Sequence, residues 1–313
     1  MERSKEPSTV QKEGFPMEKM TTKLRRLLKE KDYLVAPCAY DALSARAIEV
    51  AGFDVCGTTG YGMHGVVLAQ PDSGLLALNE SVDILSKMAD AVNIPIICDA
   101  EGGYGNALNV IRTENEYERA GASCIFFEDQ KWPKRCGHME GKQVIPAEIH
   151  VQKIRAACDA RIDKNTVIMA RTDTRAINGV DDAIRRGHLY ADAGAEILFI
   201  EALRDREEVE RLAREFEGTG TYLFANMIEG GKTPIIPASE LKEMGYAGVF
   251  WSCASLYLVA KTLKDAFTEL ARDGTSDAFL SRMIDFSEFN HFIGLDRYRE
   301  LEKRYAADDK SQP

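Results

Sequence analysis

Eight short apolar runs, each closed by polar or acidic residues and followed by a loop and a helical pattern, predict a closed (β/α)8 barrel, the TIM-barrel fold. Glycine stops ahead of several runs, at Gly52, Gly121, Gly194 and Gly245, place a left-handed helix cap where the chain turns back into a strand. The length, 313 residues, is long for one average domain and usual for one barrel. An open doubly wound sheet is the rival. It is disfavoured because no dinucleotide fingerprint with its following acid is present, and Gly102-Gly103-Tyr104-Gly105 lacks the full spacing.

In chain order, residues 1–20 are polar and mixed in charge, with Glu2, Glu6, Glu13 and Glu18 and no apolar stretch. They read as a disordered tail or an upstream start, not as a secretory signal or transit peptide. Thr21 to Lys31 follows a helical period, with Leu24, Leu27 and Leu28 on one face. The eight runs are Leu34 to Ala36, Val55 to Gly57, Ile94 to Cys98, Cys124 to Phe127, Val167 to Ala170, Ile197 to Ile200, Tyr222 to Ala225 and Gly248 to Trp251. Continuous apolar runs of this length suit strands buried on both faces of a parallel sheet. Helical patterns such as Asp181 to Ala193 and Ala238 to Met244 lie between them. After the eighth run come helices over Leu256 to Asp273, Asp277 to Ile284 and Phe286 to Tyr305, with more apolar surface than a free tail should carry. They pack either on their own barrel or on a neighbouring subunit. The expected organisation is one barrel domain over 21–305 and a frayed polar end over 306–313.

Composition narrows the function. A net charge of -10 argues against a non-specific nucleic-acid binder or an anionic-membrane binder. No apolar run approaches the roughly 20 residues of a membrane span. Seven cysteines at irregular spacing, several beside apolar runs, read as reduced thiols of a cytoplasmic protein.

The residues just past the runs are Tyr40-Asp41, Thr58-Thr59, Asp99 with Glu101, Glu128-Asp129, Arg171 with Asp173, Glu201, Asn226 and Ser252. In a barrel these converge on one mouth. One such acid is usually solvated or a cap. Several around a shared pocket would repel one another unless a cation sat among them, and hard oxygen ligands favour Mg²⁺. The long polar loop after the fourth run reads as a lid. Lys134, Arg135 and His138 around Cys136 would favour its thiolate. The alternative is an ordinary loop cysteine in a solvated charge cluster. A zinc site lacks a second ligand pair.

Several segments together resemble the phosphoenolpyruvate mutase/isocitrate lyase superfamily, over roughly Leu24 to Tyr305. They are Ala39 to Ala45, Thr59-Gly60-Tyr61, Pro71-Asp72, Asp99 to Asn106, Glu128-Asp129-Gln130, Lys134 to His138, Ala170 to Asp173 and Asn226 to Gly231. The chain is similar to the short branch that holds 2-methylisocitrate lyase, 2,3-dimethylmalate lyase, oxaloacetate hydrolase and the carboxyphosphonoenolpyruvate mutase-like proteins. The resemblance implies Asp99 as the main ligand of Mg²⁺, for which Mn²⁺ could stand in, with Asp72, Glu101 and Glu128 holding its waters. It implies Cys136 as a general acid that protonates an enolate assigned to pyruvate, with Arg171 and Glu201 in the catalytic group. Tyr40, Thr59, Gly60, Tyr61, Asn226 and Ser252 would bind substrate with Arg171, under a lid bringing Lys134, Arg135, Gly137 and His138. It also implies a last helix swapped between subunits, usually of a homotetramer, and a di- or tricarboxylate substrate. Glu101 stands where most relatives carry aspartate, and Trp251-Ser252-Cys253 replaces a segment that often carries proline.

The expected activity is Mg²⁺-dependent cleavage of a substituted malate or isocitrate to pyruvate and a second carboxylic acid. The Asn226 to Gly231 form leans towards the dimethylmalate/oxaloacetate branch. The alternatives are an oxaloacetate or other 3-oxoacid hydrolase or decarboxylase, a phosphonate C–P enzyme, and a non-catalytic barrel.

Overall fold

The computed structural model describes residues 18–31 and 33–306. The expectations for residues 1–17 and 307–313 lie outside them. Eight parallel strands close into a barrel in sequence order. They are β1 (Leu34–Ala39), β2 (Cys56–Thr58), β3 (Ile96–Asp99), β4 (Cys124–Glu128), β5 (Val167–Thr172), β6 (Ile197–Ile200), β7 (Tyr222–Met227) and β8 (Gly248–Trp251). Pairing of Leu34 with Gly248 and of Pro37 with Trp251 closes the ring between β1 and β8. Among the described residues no helix is long and apolar enough to cross a membrane.

Every expected run became a strand, but the ends moved. β3 starts at Ile96 rather than Ile94, because Pro95 has no N–H to give and serves through its carbonyl, which accepts from Cys56 N at 3.0 Å. β4, β5 and β7 run on past their apolar cores into Glu128, Arg171 and Asn226. Those side chains therefore sit on ladder-paired backbone rather than on loops, which fixes their position more tightly.

The core is a stack of aromatic and small residues. Phe250 lies 5.5 Å from Phe199 and 5.4 Å from Phe224, ring centre to ring centre. Gly57 and Gly248 make room for them. A Cβ at Gly57 would stand 2.6 Å from Cys38 Sγ, and one at Gly248 would stand 2.5 Å from Phe224 Cζ. The helix Met20–Glu30 lays Leu24, Leu27 and Leu28 against the same cluster. Gly52, Gly121, Gly194 and Gly245 all take φ between +90° and +110°, the caps the sequence called for.

Among the described residues, those up to Ser255 form one compact unit and those from Leu256 a second. In the second, a helix over Ala254–Asp273 runs in from the first unit and is followed by a 3₁₀ turn over Asp277–Arg282. The expected helix Phe286 to Tyr305 is two helices, Phe286–Phe292 and Leu295–Tyr305, split at Gly294 with φ +86°. Leu258, Phe267, Phe286 and Tyr298 are all exposed, Phe286 to 87%.

Candidate active site

The turn after β2 and the end of β3 are knitted together. Asp99 N donates to Thr58 Oγ1 at 2.8 Å, and Gly60 N donates to Asp99 Oδ2 at 3.3 Å. Thr59 caps the short helix Gly60–Met63 by accepting from Gly62 N. Gly60 has to be glycine, since a Cβ there would lie 2.7 Å from Glu101 Oε1 and 3.1 Å from Asp99 Oδ2. Glu101 itself takes φ +54°, a left-handed conformation costing about 1 kcal/mol in a residue with a Cβ. It is held there by its N–H to Asp99 Oδ1 at 2.9 Å and its carbonyl to Glu128 N at 2.9 Å.

Asp72, Asp99, Glu101 and Glu128 are all buried. Lys134 from the lid lies 2.7 Å from Asp72 Oδ1 and 2.5 Å from Glu101 Oε2. One ammonium does not balance the cluster. Burial pushes Glu101 up to about 8, with the Lys134 charge opposing and Asp99 and Asp72 adding to the rise. Burial likewise drives Glu128 well above the usual carboxylate range, against the pull of Arg171 and Lys134. Glu128 Oε1 is buried with no hydrogen-bond partner. An orphaned carboxylate oxygen among hard oxygen donors short of positive charge fits a divalent cation such as Mg²⁺.

The lid, residues 131–143, is stapled at its base by Lys131 N to Gln143 O at 2.8 Å and an antiparallel bridge between Gln130 and Val144. Gln130 ties it to the site. Its Nε2 donates to Glu128 Oε2 at 3.2 Å and to Arg135 O at 2.8 Å, while its Oε1 accepts from Arg135 N. Lys142 Nζ donates to Gly137 O and pairs with Asp173 at 3.1 Å. These links bring Cys136 and Gly137 to the cavity wall.

The thiolate expected at Cys136 is corrected here. Burial pushes the Cys136 thiol up to about 11; the His138 backbone N–H lowers it, Asp72 and Glu201 raise it, and Arg171 lowers it. Lys134 is engaged by Asp72 and Glu101, and Arg135 is exposed and donates to Glu140 O. His138 Nδ1 accepts from Lys232 N at 2.7 Å, so its ring proton sits on Nε2, 2.9 Å from Glu201 Oε1. Neither of the two cations next to Cys136 in sequence, nor His138, is free to stabilise a thiolate. The group is a thiol at neutral pH, the form a proton donor needs.

Arg171 is the electrostatic hub. Its Nε donates to Asp173 Oδ2 at 2.9 Å, its Nη2 lies 3.3 Å from Glu201 Oε2, and its guanidinium rests 5.1 Å over the Phe199 ring. Burial works against the Glu201 charge, but Arg171 and the His138 hydrogen bond hold its carboxyl far below the usual range. Asn226 Nδ2 donates to Glu201 Oε2 at 3.1 Å, and its Oδ1 accepts from Ser252 Oγ at 2.6 Å.

These groups bound one cavity at the mouth of the barrel. Thr59, Gly60, Tyr61, Asp72, Asp99, Cys136, Gly137, Arg171, Glu201, Asn226 and Ser252 line it over a floor of Phe126, Phe199 and Phe250. Tyr40 stands behind the Gly60–Met63 turn, where a Cβ at Gly62 would meet it at 2.9 Å. Glu101, Glu128, Lys134 and His138 lie behind the wall, bonded to Asp99, Arg171, Asp72 and Glu201, which form it. Arg135 is not brought to the cavity. Asp129 points away from it and is spent on Arg186, Tyr190 and Thr172. His64 and Lys142 hold the site together without having been assigned to it from sequence, their only signal being position beside the motifs, while Gln130 and Asp173 stood inside the motifs without a role of their own.

Gly137 leaves no room for a side chain, since a Cβ would lie 2.4 Å from Glu201 Cγ and 2.5 Å from Arg171 Nη2. Gly137→Ala is expected to hold the lid off its seat and cut turnover about 100-fold, the penalty of a 1 Å misplacement. Turnover within twofold of wild type in steady-state assays would contradict that closure.

A family profile described as phosphoenolpyruvate phosphomutase matches residues 24–271. The chain is 44% identical to 2,3-dimethylmalate lyase of Eubacterium barkeri over 91% of its own length and 97% of that protein. A solved 2,3-dimethylmalate lyase superposes with a TM-score of 0.88 at 34% identity, covering 95% of this chain and 99% of that one. A structure of oxaloacetate acetylhydrolase with the inhibitor 3,3-difluorooxalacetate superposes at 0.86 with 31% identity, over 91% and 96% of the two chains.

Proposed function

Since the chain belongs to the phosphoenolpyruvate mutase/isocitrate lyase superfamily and is a carbon–carbon lyase of it, we propose that it cleaves a substituted malate or isocitrate with Mg²⁺. The substrate class is that of 2,3-dimethylmalate or 2-methylisocitrate, and the products are pyruvate and a second carboxylic acid. The observation that carries this reading is the cavity itself: a half-buried, protonated Cys136 thiol, the Arg171 guanidinium and the Asp99 end of the acid cluster all line it.

Asp99 would hold the cation, with Asp72, Glu101 and Glu128 around its waters. When bound, the cation supplies a Lewis acid for the substrate's carboxylate and hydroxyl oxygens. Arg171 and Asn226 orient the substrate carboxylate and hydroxyl, and the closed lid excludes water. Electron bookkeeping then decides where the thiol acts. As the hydroxyl gives its proton to the ionised Glu201 carboxylate on the cavity wall, its carbon becomes the carbonyl of pyruvate, and the pair from the broken C–C bond goes to the other carbon. The carbanion therefore belongs to the second acid, as its enediolate, and not to pyruvate. This corrects the pyruvate enolate expected from sequence. The Cys136 S–H bond breaks as a C–H bond forms on that carbon, and the thiolate regains a proton. The net step moves one proton from substrate hydroxyl to carbon.

Ser252 favours a second reading. Its hydroxyl lines the cavity and donates to Asn226. A hydroxyl there would recognise the extra OH of a hydrated 3-oxoacid, whose cleavage by the same bookkeeping gives oxalate and acetate. A product assay with Mg²⁺ over 2,3-dimethylmalate, 2-methylisocitrate and oxaloacetate tests both readings. Pyruvate from one of the first two establishes the lyase reading. Oxalate from oxaloacetate alone replaces it with the hydrolase reading.

Free thiols at all seven cysteines suit a reducing compartment such as the cytoplasm. The exposed apolar side chains of the second unit suit further copies of the chain as partners, with the last helix exchanged between subunits in a homotetramer.

A further inference from the structure

His64 is fully buried on the wide helical turn His64–Leu68 that follows the Gly60 turn. Its Nε2 lies 3.0 Å from Leu75 N and 3.2 Å from Leu76 N. Backbone N–H groups only donate, so Nε2 is an acceptor and the proton of the neutral ring sits on Nδ1. That nitrogen is 2.8 Å from Gly60 O and 3.4 Å from Asp72 Oδ1. Donor atoms of His64, Asp72 and Glu101 all lie within 4.8 Å of one another, a grouping that could hold a metal ion. The hydrogen bonds argue otherwise. Two N–H groups cover one ring nitrogen, and the other carries a proton aimed at a carbonyl.

We infer that His64 is a positioning residue that braces the Gly60 turn against the loop carrying Asp72, and so holds together the cation site and the surface on which the lid closes. The inference rests on the reading of the acid cluster as a divalent-cation site. The loop over residues 70–77 has no helix or strand of its own. His64 grips it at two consecutive N–H groups. The lid lands on the same loop: Trp132 packs on Gly74, where a Cβ would meet the indole at 2.9 Å, and Lys134 pairs with Asp72. At the other end of the imidazole, Gly60 offers its carbonyl to His64 and its N–H to Asp99. One ring thus spans the acid at the end of β3 and the acid under the lid.

Two substitutions divide the ring's functions. His64→Asn keeps a donor near Nδ1 and removes the acceptor at Nε2. His64→Gln reaches the Nε2 position with an acceptor. Both would be followed by Mn²⁺ binding, read by electron paramagnetic resonance, and by the rate of protease cleavage within the lid of the ligand-free protein. Partners that orient metal ligands are worth about 10–100-fold in metal affinity. His64→Asn is expected to weaken Mn²⁺ by ~10-fold or more and to speed lid cleavage, while His64→Gln, which keeps the grip on Leu75 and Leu76 but lets go of Gly60, is expected to restore lid cleavage to within ~3-fold of wild type and Mn²⁺ affinity in part. Wild-type behaviour of His64→Asn, or a loss in His64→Gln as large as that in His64→Asn, would overturn the inference. Should His64→Asn fail to fold, the Gln variant decides alone: lid cleavage more than ~3-fold faster than wild type there contradicts the brace. A wild type that binds no Mn²⁺ would instead sink the cation-site reading, and lid cleavage would still decide the role of His64.

Discussion

Cys136→Ser is expected to lower turnover at least ~100-fold while leaving the thermal melt in place. The thiol faces the cavity from a lid whose closure is fixed elsewhere, by Gln130 on Arg135, Lys142 on Gly137 and Lys134 on the acids. Exchanging sulfur for oxygen disturbs none of those contacts. It does replace an acid near 11 by a hydroxyl that gives up its proton far less readily. The same value fixes the sign of the pH dependence. In the proposed mechanism Cys136 acts as the protonated form, which persists until pH rises towards about 11, so no alkaline fall in kcat from this group is expected between pH 7 and 9. A pH–rate profile and a side-by-side turnover assay check both points. Near-normal turnover of the serine variant would remove Cys136 from the proton-donor role.

Arg171→Met is expected to damage stability and chemistry together. The guanidinium pairs with Asp173 and Glu201 and lies 3.5 Å from Glu128. All three carboxylates are buried, and removing one partner of a buried pair typically costs about 3–5 kcal/mol. Lys142 still faces Asp173 and His138 still faces Glu201, which places the expected loss at the lower end, about 3 kcal/mol in a denaturant melt. Loss of a preorganised donor to developing negative charge adds about 10²–10³-fold in kcat. Arg171→Lys would keep the charge without the fork that engages Asp173 through two nitrogens, and should recover stability more than turnover. A methionine variant as stable and as fast as wild type would mean that Arg171 is neither hub nor substrate anchor.

The barrel was legible because buried parallel strands leave a plain mark: Cys124 to Phe127 or Ile197 to Ile200 can hardly be anything else between two helical patterns. The strands outran their apolar marks where function needs polar residues on rigid backbone, at Glu128, Arg171 and Asn226. Strand alternation separates Glu128 from Asp129, adjacent acids that face opposite ways. Neighbours in sequence misled at Cys136, since the nearest cations in the chain had found other partners in space. His64 and Lys142 were invisible for the same reason. His64 meets backbone groups of Gly60, Leu75 and Leu76, and Lys142 meets the Gly137 carbonyl and the Asp173 carboxylate, and nothing in residue type announces such bonds. The break at Gly294 could have been read, because a glycine inside a helical pattern takes the left-handed cap readily.

The most direct measurement is proton NMR of the cleavage of 2,3-dimethylmalate in D₂O with Mg²⁺ present, read early in the reaction. If the electron pair of the broken bond goes to the second acid and the lid thiol protonates it there, pyruvate appears with a fully protonated methyl group. Propionate then appears with one deuterium on the carbon next to its carboxylate. Deuterium arriving first in the pyruvate methyl, or propionate appearing without deuterium, would contradict the account.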